Sequence, residues 1–108
     1  MGVTAPDESL VSEARDPEGN RVVVPASLWF GKVLREHSEI APHLADVVRA
    51  ISAPDRVIAD PNNDRRRHHY MRSVGPSRWL LVVISYEQKP AKLLTAYPNR
   101  KDPPQWKE

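Results

Sequence analysis

The chain has no cysteine among its 108 residues. That absence excludes disulfides, zinc–thiolate centres and thiol catalysis together. No GxGxxG, phosphate-binding glycine loop or GxSxG element is present, which removes most nucleotide-dependent and serine-hydrolase chemistries. No apolar run approaches the roughly 18–20 residues that span a bilayer. The first residues, MGVTAPDESLVSEARDPEGN, lack the basic and apolar regions of a signal peptide, so a cytoplasmic location without membrane contact is the expectation. Metal-ligand spacing is missing as well. His37 and His43 lie six apart, and the adjacent His68 and His69 would point to opposite faces of a strand. No metal and no cofactor are expected.

What is present is an uneven charge. Residues 1–20 carry five acids and one base, net −4, while residues 21–108 carry fifteen bases and nine acids, net +6. A basic body suits an anionic partner such as nucleic acid; solubility alone is the competing explanation. The length fits one domain. Residues 1–19 read as a flexible acidic leader and residues 20–108 as a single α+β domain ending in an irregular, proline-containing tail.

Within that domain Arg21–Val24 is a short β-branched run. Ser27 is placed to cap a helix over Leu28–His37, in which Trp29, Val33 and His37 share one face. Leu44, Val47, Val48 and Ile51 form the stripe of a second helix that stops before Pro54. The period then changes from helical to alternating. Strands are predicted over 55–60, 65–74, 78–86 and 91–97, with a hairpin signal at Gly75-Pro76-Ser77. The apolar segment 78–86 should be central. The predicted architecture is two N-terminal helices on one face of a small antiparallel meander of three or four strands.

Three features could carry chemistry. His37 stands at a helix C-terminus, where imidazolium is favoured and proton transfer is feasible; the alternative is a histidine bonding the last helix carbonyls. The strand RRRHHYMR sorts Arg66, His68, Tyr70 and Arg72 onto one face and Arg67, His69 and Met71 onto the other. Arginine, imidazole and aromatic groups on one face suit a phosphodiester, although a solvated outer face would look the same. Thr95 is expected to alternate with Leu93 and Tyr97, with Leu94 and Ala96 opposite; its hydroxyl could hold a phosphate oxygen, or simply reflect β propensity.

The order of these pieces resembles the phage-associated branch of the barnase/EndoU/colicin/RelE-like nuclease superfamily. The resemblance runs from residue 21 to about 101, through REHSEI, VVRAISAPDRVIAD, RRRHHYMRSVGPSRWLLVVISY and LLTAYPNRK. It rests most on His37 followed by Glu39 and on Thr95–Pro98. It implies helices on one sheet face and a metal-independent ribonuclease site on the other. His37 would match the family's helix-end histidine and Thr95 its last-strand hydroxyl. His68, Tyr70 and Arg72 would complete the catalytic set, with Arg66, Arg67, His69, Arg78, Tyr97, Arg100 and Lys101 as RNA contacts. Ser38 stands where a proline is usual. The implied partners are RNA and a cognate antitoxin or immunity protein. The alternative function is a non-catalytic nucleic-acid-binding or interaction module of a mobile element.

Overall fold

A computed structural model describes residues 9–72 and 78–106. The chain is α+β, and its sheet is larger than the sequence suggests. Six strands, β1 (Leu10–Arg15), β2 (Arg21–Pro25), β3 (Arg56–Asp60), β4 (Asn63–Arg72), β5 (Trp79–Ser85) and β6 (Ala91–Asn99), lie in the order β1-β2-β6-β5-β4-β3. Every neighbouring pair is antiparallel except β2 and β6, which run parallel through Val22–Ala91 and Val23–Lys92.

The expected all-antiparallel meander is therefore only part of a mixed sheet, and strands precede the helices. Residues 10–15, expected within a flexible leader, form the edge strand β1. Val11 and Ala14 pack against the core from it. Asp16 at its end is buried and ties the β1–β2 turn together, accepting the N–H groups of Glu18 and Asn20. The remainder of that leader, and the Gly75-Pro76-Ser77 hairpin signal, lie outside the described residues.

Between β2 and β3 the chain forms two helices. The first, α1, covers residues 26–36 and is π-wound over Trp29–Val33. Pro25 occupies its N-terminal boundary, so Ser27 falls inside the first turn instead of capping it. A 3₁₀ segment, Ser38–His43, leads into α2 (Leu44–Ser52). Trp29, Val33, Ile40, Val47, Ala50 and Ile51 meet Val22, Val24, Met71, Leu80, Val82, Ile84, Leu93 and Ala96 in one core. Each such aliphatic side chain contributes about 1.5–3 kcal/mol by leaving water. β5 is buried along its whole length, as its apolar composition predicts.

A second cluster forms on the opposite sheet face. There Tyr70, Trp79, Leu81 and Val83 pack with Ile58, Leu94, Tyr97 and Trp106. Among the described residues no helical side chain joins this cluster, in which Tyr70, Trp79, Leu81 and Val83 are buried. The tail crosses one end of it, where Trp106 meets Trp79 edge-on at 4.9 Å.

Candidate functional site

This second face is ordered by register. One row across the sheet is Arg56–Tyr70–Leu81–Tyr97, the next is Ile58–His68–Val83–Thr95, and Arg72–Trp79–Asn99 lies on the other side. Rows repeat about every 6.8 Å along a strand and strands lie about 4.8 Å apart. Side chains from neighbouring rows can therefore converge on one small group above the sheet.

A β-bulge makes this arrangement possible. Val83 pairs with Thr95 but Ile84 pairs with Leu93, so Leu94 is an extra residue. Strict alternation would put Leu93 beside Thr95 and Tyr97. Instead Leu93 and Ala96 enter the helix-facing core, while Leu94 and Tyr97 join the other cluster. The expected alternation of this strand is corrected accordingly, and its two useful residues remain on the second face.

His37 reaches the same place from the side. β2 pairs with β6 only at Ala91 and Lys92, and α1 packs beside the rest of β6. The helix ends at His37, whose N–H still bonds the Val33 carbonyl at 2.7 Å. Its ring lies 5.1 Å from that of Tyr97, inclined by 26°. Among the described residues the imidazole itself makes no hydrogen bond to the last helix carbonyls.

The two adjacent histidines have opposite fates. His68 Nε2 lies 2.9 Å from Asp60 Oδ2 across the β3–β4 hairpin. Asp60 is held below its usual carboxylate range by the Asn62 N–H and by His68. With Nε2–H donated to this carboxylate, a neutral His68 keeps a lone pair on Nδ1, the arrangement of a general base. His69 is 1% exposed and its Nδ1 donates to the Ala50 carbonyl at 3.0 Å. Burial pushes its pKa below the usual value and keeps it neutral. As an RNA contact His69 is corrected to a core residue joining β4 to α2.

Tyr70 and Tyr97 are raised above the normal phenol range, both by burial, so they are hydrogen-bond donors at neutral pH. The Thr95 hydroxyl is buried without a hydrogen-bond partner. Arg72 lies 5.7 Å from the Trp79 ring centroid and 5.8 Å from that of Trp106, and Arg56 lies 6.0 Å from Trp106. Such stacking restricts a guanidinium and places its positive charge beside the aromatic cluster.

The other basic candidates do not all belong to this face. Arg67 points toward the helix side, 2.7 Å from Glu18 and over the Tyr86 ring at 4.5 Å. Arg66 pairs with Glu87 at 3.6 Å, and Arg78 with Asp102 at 3.3 Å. Arg100 and Lys101 are exposed beyond the end of β6.

Asp60, Arg56 and Trp106 carry no signal recognised in the sequence. Asp60 looks like a turn residue before Pro61-Asn62, its register partner is Asn63, and only the side-chain contact shows that it meets His68. Arg56 is visible only once β3 is aligned with β4. Trp106 lies in an irregular tail, where one aromatic among prolines does not reveal what it covers.

Among the described residues no group of three or more histidines and carboxylates is arranged to hold a metal, and no helix is long and apolar enough to cross a membrane. Comparison with protein-family models, curated proteins and solved structures finds no match for this chain.

Proposed function

We propose that the chain is a metal-independent endoribonuclease whose site is the second sheet face. One observation carries this reading: sheet register and the β6 bulge put His68, Tyr70, Thr95 and Tyr97 on one face beside the stacked His37, with Asp60 orienting His68. His68 Nδ1 takes the proton of the RNA 2′-hydroxyl as its oxygen attacks the adjacent phosphorus. The bond from phosphorus to the 5′-oxygen breaks, and His37 as imidazolium protonates that oxygen. A 2′,3′-cyclic phosphate and a 5′-hydroxyl result. Tyr70 and Thr95 donate to the phosphoryl oxygens, and Arg72 and Arg56 supply positive charge at the neighbouring row.

The test is incubation of purified protein with labelled RNA in EDTA, followed by identification of the ends. Cyclic-phosphate ends support the reading. Equal cleavage of a fully deoxy substrate overturns it, because the nucleophile is then not the substrate's own hydroxyl.

Arg56 and Arg72 beside the partly exposed Trp106 favour a second reading, a non-catalytic module that holds RNA on the same face by charge and by stacking on that ring. Tight, salt-dependent RNA binding without cleavage, unchanged in His37→Ala, identifies that case.

A further inference from the structure

The β1–β2 turn and the β5–β6 turn approach each other at one end of the sheet, away from the row of Arg72. They enclose a cleft of about 440 Å³. Its charged lining is one-sided. Arg15, Arg21, Arg67 and Lys89 face it, together with the Tyr86 ring and the Gln88 amide, and no carboxylate residue is in the wall.

Two of the four cations are already compensated from behind. Arg21 meets Glu13 at 2.6 Å and Arg67 meets Glu18 at 2.7 Å. The other two are not. Arg15 donates to the neutral Gly19 carbonyl at 2.9 Å, and neither it nor Lys89 is paired with a carboxylate among the described residues. Buried Asp16, 4.0 Å from Arg67, offsets one further charge, so the cleft presents a surplus of about one positive charge, with Arg15 and Lys89 lacking a carboxylate of their own. Its floor is also held rigidly. The Tyr86 hydroxyl donates to buried Asp16 at 2.7 Å, and Arg67 lies across the Tyr86 ring.

We infer that this cleft is a binding site for a ligand carrying a dianionic phosphate, either a diphosphate or a terminal phosphomonoester. A terminal phosphate carries more charge and more free oxygens than a phosphodiester within a strand, so it gains more from two cations, Arg15 and Lys89, that have no carboxylate partner among the described residues. The cleft size is that of a small-molecule site. None of the lining residues belongs to the ribonuclease site proposed above, so the two assignments stand or fall separately.

The experiment is an NMR titration of the full ¹⁵N-labelled chain with pyrophosphate, with a nucleoside 5′-diphosphate and with a dinucleoside monophosphate. Saturable shifts of the Gly19, Asn20 and Ala91 amides by the first two are expected, with the singly charged diester at least about tenfold weaker. Tighter binding of the nucleoside diphosphate than of pyrophosphate identifies a nucleotide as the ligand; equal binding identifies free diphosphate. Arg15→Ala and Lys89→Ala should each weaken pyrophosphate by about tenfold, the loss expected for a charge-assisted contact, while Lys32→Ala on α1 should not. Both variants alter exposed side chains, and an unchanged spectrum outside the cleft verifies their fold. Equal affinity for the diester, native affinity in both variants, or shifts confined to other regions would each overturn the assignment.

Discussion

His68 and Asp60 meet imidazole to carboxylate across the β3–β4 hairpin at 2.9 Å, while His69, the next residue, turns its Nδ1 the opposite way onto the Ala50 carbonyl. Two neighbouring histidines thus belong to two different environments, and their substitutions should have opposite signatures. His68→Ala is expected to lower RNA cleavage by about 10²–10⁴-fold, as for loss of a general base, with little change in thermal midpoint. Asp60→Asn should lower it by less. Steady-state cleavage rates beside melting curves check both, and full activity in His68→Ala removes the base from the mechanism.

His69 acts on stability instead. His69→Ala should cost about 2–4 kcal/mol through the cavity and the lost bond to Ala50. Because the folded state keeps the ring neutral, the unfolded chain binds the proton first as pH falls. Stability should therefore decline below about pH 6.5 and level off once the lowered folded value is passed. Urea denaturation at a series of pH values should show this slope, and His69→Gln should lack it.

Thr95 offers a test that separates binding from folding. Its buried hydroxyl has no hydrogen-bond partner in the free protein. Thr95→Val should leave stability unchanged or raise it by up to about 1 kcal/mol, since an unpaired polar atom is replaced by a methyl group. Cleavage should nevertheless fall, by less than the roughly 10²–10⁴-fold expected for His37→Ala. If cleavage is unaffected, the hydroxyl does not meet the phosphate.

Removing residues 1–19 should lower the thermal midpoint substantially. The deletion takes away β1, exposes the edge of β2 and breaks the bond between Asp16 and the Tyr86 hydroxyl. Burial alone would raise the Asp16 pKa. The hydrogen bonds from Tyr86, Asn20 and Glu18 outweigh it and hold the value below 3.8. Asp16 therefore contributes stability above about pH 3.8 that is lost as pH falls toward its folded value. Asp16→Asn should flatten the acid limb in that window, and a truncated chain that melts like the full one would show β1 to be dispensable.

Much of the architecture is legible in the residues themselves. The continuous apolar, β-branched run in RWLLVVISY identifies the central strand, the 3.6-residue stripe through Leu44, Val47 and Ile51 identifies α2, and adjacency separates His68 from His69. β1 is hidden because LVSEAR has only two inward apolar side chains; its sheet partner β2 is the next strand, but the core those side chains meet is built largely by residues far along the chain. The parallel pairing of β2 with β6 is hidden for the same reason: it joins residues 22 and 91 and leaves no local pattern. The bulge at Leu94 shifts Leu93 to the core without altering composition, so alternation alone misassigns it. Of the candidate site, the β4 residues and Thr95 follow from periodicity. The approach of His37 to Tyr97 requires knowing that β2 stops pairing early.

That short seam also orders the assembly of the molecule. β3 to β6 are joined by hairpin-range contacts, whereas the β1–β2 hairpin joins the rest of the sheet through two residue pairs spanning most of the chain, beside Asp16–Tyr86, Glu18–Arg67 and the core packing of Val11, Ala14, Val22 and Val24. Closing so long a loop comes late in folding, and a narrow seam is the cheapest one to reopen. Amide exchange should accordingly run faster in β1 and β2 than in β5, as a cooperative unit. Because the same hairpin supplies Arg15 and Arg21 to the cleft, each such opening would empty and rebuild it, so ligand held there should slow exchange throughout the first two strands.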